Sequence, residues 1–111
     1  MADNNAALSY YPARMSFGKS MQHSLETRRK RLRYRTNHTG MRETDILLGG
    51  FVAASGDSLD AERISALEEL LDDANDAEIL DWITGRLALP DRFANKTMAR
   101  LVEYVRERHG P

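Results

Sequence analysis

Helical periodicity is the feature of this sequence that most restricts its fold. From residue 25 onward, apolar residues recur at intervals of three and four positions, as in Ile64, Leu67, Leu70 and Leu71. That spacing places them on one face of an α-helix. No segment shows the sustained apolar–polar alternation that is typical of a half-buried strand. The sequence therefore predicts an all-α protein, a compact bundle of about five short helices.

Glycines and capping residues indicate where these helices end and begin. Gly40 follows the first helical segment directly, and Gly85 follows the fourth, as glycines commonly do at helix ends. Asp60 is predicted to cap the third helix. Gly49 and Gly50 lie inside the second segment, where each weakens a helix by about 1 kcal/mol relative to alanine. Their presence predicts either a close packing contact or an early helix end.

The composition indicates one domain and excludes several classes of site. The 111 residues suffice for one modest core, and we predict a disordered N-terminal arm at 1–24 followed by a helical domain at 25–111. The chain has no cysteine, which excludes disulfides and thiolate chemistry. The three histidines, His23, His38 and His109, are too scattered to predict a metal site. No apolar run is long enough for a membrane-spanning helix.

Charge is divided unevenly between the two ends of the chain. Residues 1–42 carry nine Lys and Arg against two acidic residues, and residues 43–111 carry seven against fifteen. The basic run at 28–35 leaves two interpretations open. Arg28, Arg31 and Arg35 share one helical face and Tyr34 could stack on a base, as in a nucleic-acid-binding or scaffold module. Alternatively, the basic helix docks on the acidic half of its own domain, which the pI of about 6.3 favours.

The sequence around Gly40 also has a purely structural interpretation. A glycine is needed where two helices meet abruptly, because other residues resist a positive φ. Gly40 is then expected to cap the second helix, and Glu43 to satisfy exposed amides in its first turn. Neither a Walker loop nor a nucleophile–base spacing occurs anywhere in the chain, so no enzyme is predicted.

Longer segments resemble a known family. The segment "RRKRLRYRTNHTGMRETDILLGGF" at 28–51, "LEELLDDANDAEILDWITG" at 67–85 and the later "LP" resemble the succinate dehydrogenase flavinylation assembly factors, and their alphaproteobacterial branch in particular. The most specific parts are the Gly-x-x-Glu-x-Asp element at 40–45 and the "DWITG" element at 81–85. The family pattern has arginine before the glycine, whereas this chain has Thr39.

The resemblance implies a five-helix binding protein that is not an enzyme. Its partner is expected to be the flavoprotein subunit of succinate dehydrogenase, or of fumarate reductase, in which a histidine nitrogen bonds to the 8α carbon of FAD. The FAD belongs to the partner, so this chain needs no cofactor or metal of its own. The residues expected to contact the partner are Arg35, His38, Thr39, Gly40, Met41, Arg42, Glu43 and Asp45.

Further expectations follow for the whole molecule. We expect a monomer that does not bind membranes and lies in a bacterial cytoplasm, with the mitochondrial matrix as the alternative. Nucleic acid is not the expected partner. Trp82 flanks Ile79 and Ile83 on a short helix, so it is predicted to anchor the core rather than to form a ligand platform.

Overall fold

The computed structural model describes the backbone of residues 17–109 and the side chains of residues 25–108. The described residues form five α-helices and contain no strand, which confirms the predicted all-α fold. The helices are α1 (Phe17–Thr36), α2 (Arg42–Ser55), α3 (Ala61–Asp73), α4 (Asp76–Ile83) and α5 (Lys96–His109). Single 3-10 turns at Gly56–Ser58 and Asp91–Phe93 precede α3 and α5.

Helix α1 begins at Phe17, two turns before the start predicted near Leu25. Phe17, Met21 and Leu25 are spaced four residues apart and the segment contains no proline, so its sequence is compatible with a helix. The rest of the predicted arm, at 1–16, lies outside the described residues.

The starts of the later helices follow from local capping. The Asp60 side chain accepts a hydrogen bond from the backbone N–H of Arg63, which confirms the predicted cap of α3. Asn75 and Glu78 form a reciprocal capping box at the start of α4, with distances of 2.8 and 3.0 Å. Each pair satisfies amides that would otherwise lack an intrahelical partner.

The helices enclose one apolar core. Helix α2 is central and packs against α1, α4 and α5, while α3 packs against α1 and α5. Trp82 packs against this core at its edge, as predicted. The buried apolar residues are Leu32, Leu47, Leu48, Phe51, Val52, Leu59, Ile64, Leu67, Leu70, Ile79, Leu80, Ile83, Phe93, Met98, Leu101 and Val105.

The two glycines inside α2 are sites of close packing, and the helix continues past both to Ser55. A Cβ atom at Gly49 would lie 2.6 Å from Asn37 Oδ1 and 3.2 Å from the carbonyl oxygen of Thr36. A Cβ atom at Gly50 would lie 2.5 Å from the Tyr104 hydroxyl. These glycines let α1 and α5 approach the α2 backbone, so the first of the two predicted alternatives is correct.

Gly50→Ala is expected to destabilise the protein by about 1 kcal/mol, because the new methyl group must displace the Tyr104 hydroxyl. Alanine in an unobstructed helix position would instead stabilise by about 1 kcal/mol. Urea denaturation measures the free energy of unfolding and shows whether Gly50→Ala lowers or raises it.

Tyr104→Phe provides the matched background for that measurement. Without the hydroxyl, the nearest remaining ring atom is 3.5 Å from the added Cβ, an ordinary van der Waals contact. Gly50→Ala should therefore be neutral or stabilising when combined with Tyr104→Phe. Equal destabilisation in both backgrounds would contradict the proposed steric cause.

Candidate partner-binding surface

The α1–α2 junction is a short, exposed turn at 37–41. The backbone amides of Asn37 and His38 bond to carbonyls of the last turn of α1, at 3.1 and 3.2 Å. Gly40 then adopts a φ of 108°, in the region that disfavours side chains. The predicted need for glycine at this position is therefore confirmed.

The capping arrangement differs from the one expected. Met41, rather than Gly40, is the N-cap residue of α2, and its side chain makes no capping hydrogen bond. Glu43 lies in the first turn but is exposed, and within residues 25–108 it forms no ion pair. Gly40 is not the cap because its positive φ lies outside the extended region that N-cap residues adopt. Glu43 can interact with the helix dipole while its carboxylate faces solvent.

Hydrogen bonds between Thr39 and Asp45 connect the junction to the first turn of α2. Asp45 Oδ1 accepts hydrogen bonds from the backbone amide of Thr39 at 2.7 Å and from its hydroxyl at 2.6 Å. The Thr39 hydroxyl bond, followed by the amide bond, lowers the pKa of Asp45 below its ordinary value. Asp45 is therefore ionised at neutral pH and holds the residue before Gly40 in place.

The end of α1 contributes an aromatic pair to the same region. The rings of Tyr34 and His38 stack with centroids 4.0 Å apart, and His38 Nδ1 lies 2.7 Å from the carbonyl oxygen of Tyr34. Tyr34 is 65% exposed, so the pair presents an apolar ring face beside the junction. Arg35, predicted to contact the partner, forms an ion pair with Asp72 of α3 at 2.9 Å and remains partly exposed.

The end of α4 lies next to Glu43. A shallow cleft of about 260 Å³ is lined by Glu43, Leu80, Thr84, Gly85 and Arg86. The two most specific sequence elements, at 40–45 and 81–85, therefore meet in space although some forty residues separate them. Sequence periodicity did not indicate this juxtaposition, since it depends on the packing of α2 against α4.

Ile46 begins the apolar run of α2 and yet is 59% exposed. It lies one turn after Arg42 and Glu43 on the outer face, whereas the neighbouring Leu47 and Leu48 point into the core. Ile46 therefore adds an apolar side chain to the exposed face of α2 that carries Glu43. In the sequence, Ile46 directly precedes the buried pair Leu47 and Leu48, and this place at the edge of the apolar run is the signal that could have indicated its exposure.

Three of the six basic side chains in the run at 28–35 are engaged within the domain, while Lys30, Arg31 and Arg33 are exposed. Arg28 donates to Glu68 at 2.8 Å and to Ser65 at 3.0 Å. Arg29 Nε donates to the carbonyl oxygen of Leu59 at 2.9 Å. Together with the Arg35–Asp72 pair, these contacts support docking on the acidic half over nucleic-acid binding.

The described part of the chain contains neither a candidate membrane span nor a candidate metal site. None of its helices combines the length and apolar character that crossing a membrane requires. Within the same residues, no group of three or more His, Asp or Glu side chains is arranged to hold a metal ion.

The α1–α2 junction and the end of α4 therefore form one continuous surface on a small helical domain. A family model described as "Flavinator of succinate dehydrogenase" matches residues 30–105. The chain belongs to this family.

Individual relatives agree with this assignment. The FAD assembly factor SdhE of Acetobacter pasteurianus is 42% identical over 110 residues, covering 99% of each chain. The mitochondrial succinate dehydrogenase assembly factor 2-B of Drosophila melanogaster is 36% identical over 83 residues, which make up 74% of this chain and 53% of the fly protein. No solved structure matches the chain.

Proposed function

We propose that this protein binds the flavoprotein subunit of succinate dehydrogenase and promotes the covalent attachment of FAD to a histidine of that subunit. The observation that carries the proposal is the meeting of Glu43, exposed Ile46 and the α4 cleft on one surface. The names of its relatives, an FAD assembly factor and a succinate dehydrogenase assembly factor, supply the partner and the cofactor. A fumarate reductase flavoprotein is the related candidate.

The proposed role is positional rather than catalytic. The reacting groups, a histidine nitrogen and the flavin 8α carbon, both belong to the flavoprotein, and their reaction is favoured when they are held in productive geometry. Binding of this chain stabilises that geometry in the immature subunit. It acts in the cytoplasm as a monomer and holds no FAD of its own.

The proposed contact residues differ in the kind of interaction that each can make with a partner. Glu43 supplies a carboxylate that is free to pair, and Ile46 supplies an apolar anchor one turn away. Gly40 and Met41 lie in the junction itself, Gly40 exposed and Met41 partly buried. The Tyr34–His38 pair extends the surface along α1, with exposed Arg42 on the other side.

The direct test is flavin fluorescence of the flavoprotein subunit in a denaturing gel, from cells with and without this protein. Covalently bound flavin remains on the band, whereas free FAD is lost. We expect strong fluorescence only when this protein is present. Equal fluorescence in both samples would reject the proposed function.

Glu43→Gln is expected to weaken binding of the flavoprotein by about 2 kcal/mol, or about 30-fold, because it removes one charge from a desolvated contact. The fold should lose only a dipole interaction of about 0.3–1 kcal/mol. Affinity is measured by calorimetric titration, and stability by the melting temperature of the free protein.

Glu62→Gln is the matched control for this variant. Glu62 occupies the second position of α3, as Glu43 does in α2, and it is likewise exposed. It should show the same small loss of stability and normal binding. If Glu43→Gln and Glu62→Gln bind equally well, Glu43 is not a contact residue.

A further inference from the structure

We infer that Thr39 and Asp45 form a positioning pair that fixes the junction in its binding shape, and that Asp45 acts through Thr39 rather than by touching the partner. The inference rests on the proposed function and assigns separate roles to the two carboxylates of this surface. Glu43 contacts the flavoprotein, whereas Asp45 holds the turn from which Glu43 is presented.

The hydrogen bonds around Thr39 form a closed network. Its hydroxyl has a single proton, which is best placed toward Asp45 Oδ1 at 2.6 Å. The oxygen can then accept from the backbone amide of Met41, which lies 3.3 Å away. The Thr39 amide donates to the same Asp45 oxygen at 2.7 Å. The residues on both sides of Gly40 are therefore connected through this network to Asp45 in the first turn of α2.

Gly40 explains why such a network is needed. A glycine has the widest range of backbone conformations, so it does not hold a φ of 108° by itself. Its nearest side-chain neighbour is Asp76, whose carboxylate approaches within 3.0 Å of where a Cβ would stand. Fixing the turn before binding reduces the entropy that the partner must overcome.

The two carboxylates differ in how far their bonding capacity is already used. Asp45 is partly buried, and its Oδ1 accepts two short hydrogen bonds from Thr39. Glu43 is exposed and unpaired within the part of the chain with described side chains. Asp45 is therefore already engaged inside the junction, whereas the Glu43 carboxylate has no ion-pair partner among those residues.

The experiment tests whether Asp45 acts as a hydrogen-bond acceptor for Thr39 or through direct contact of its charge with the partner. Affinity for the FAD-loaded, unmodified flavoprotein subunit is measured for Thr39→Val, Thr39→Ser, Asp45→Ala and Asp45→Asn. Thr39→Val and Asp45→Ala should bind about tenfold more weakly, because the competent junction is then populated only about a tenth of the time. Thr39→Ser retains the hydroxyl and should bind like the parent. The Asn side-chain oxygen can still accept both bonds, so Asp45→Asn should lose no more than about threefold.

The double variant Thr39→Val/Asp45→Ala completes a thermodynamic cycle. If both residues act through one network, the double variant binds no more weakly than Asp45→Ala alone. Additive losses, or an Asp45→Asn variant as weak as Asp45→Ala, would assign Asp45 to direct contact through its charge. Unchanged binding by Thr39→Val would also overturn the inference.

Amide hydrogen exchange in the free protein gives a readout that does not require the partner. The Thr39 and Met41 amides should exchange about tenfold faster in Thr39→Val and Asp45→Ala, and at the parent rate in Thr39→Ser. If the parent protein fails to bind the flavoprotein, the proposed function fails, while the exchange rates still decide whether the pair fixes the junction. If the exchange rates do not change in these variants, Thr39 and Asp45 do not fix the conformation of the junction.

Discussion

Gly40→Arg is expected to leave a folded protein that no longer binds the flavoprotein measurably and so fails to support flavinylation. A side chain at a φ of 108° costs about 1 kcal/mol or more, which the domain can tolerate. The larger effect is obstruction, because Gly40 is exposed at the centre of the junction and a long side chain there holds a partner away. Circular dichroism, thermal melting and calorimetric titration measure the two effects separately.

Gly40→Ala separates strain from obstruction. It introduces the same Cβ, 3.0 Å from the Asp76 carboxylate, but no extended side chain. Its stability should fall about as far as that of Gly40→Arg, while most of the binding survives. If Gly40→Arg binds normally, the junction does not face the partner and the surface must be placed elsewhere.

Trp82→Ala should destabilise the domain by about 3 kcal/mol, a large share of the total for a protein of this size. Trp82 packs against the core at its edge, and its ring lies 5.4 Å from that of Phe93. Its loss removes the contact that joins α4 to the turn before α5. Urea denaturation of the purified variant measures the change in unfolding free energy.

Trp82→Phe is the conservative comparison, because it keeps an aromatic ring against Phe93 and should lose less than half as much stability. Trp82 does not line the cleft next to Glu43, so neither variant should alter binding when measured below its melting temperature. A Trp82→Ala protein that melts like the parent but fails to bind would instead place Trp82 in the interface.

Local features of the fold were predictable from sequence because their causes are local. Asp60 caps α3 through an amide three residues away, and the apolar spacing of α3 depends only on the helical repeat. The positive φ of Gly40 likewise follows from an abrupt helix junction. The start of α1 at Phe17 was not predicted, because only two apolar residues, Phe17 and Met21, lie at helical spacing before Leu25.

The candidate site was predictable only as a segment of sequence. The residues around Gly40 were identified in advance through their resemblance to a family, but their individual roles were not. Met41 proved to be the cap, Arg35 pairs with Asp72, and Ile46 is exposed. Each of these outcomes depends on a neighbouring helix or on the exact rotation of α2, which periodicity fixes only to within about one residue.

The sequence by itself determined the helical class and most of the helix boundaries, and it identified the family and the junction that distinguishes it. Those properties are encoded in residues a few positions apart. The tertiary structure determines which residues the charged side chains and the glycines contact. It pairs Arg28 with Glu68, sets Gly50 against Tyr104 and brings Glu43 to the end of α4. These contacts join residues forty or more positions apart, and they exist only because burial of the shared core fixes how the helices pack.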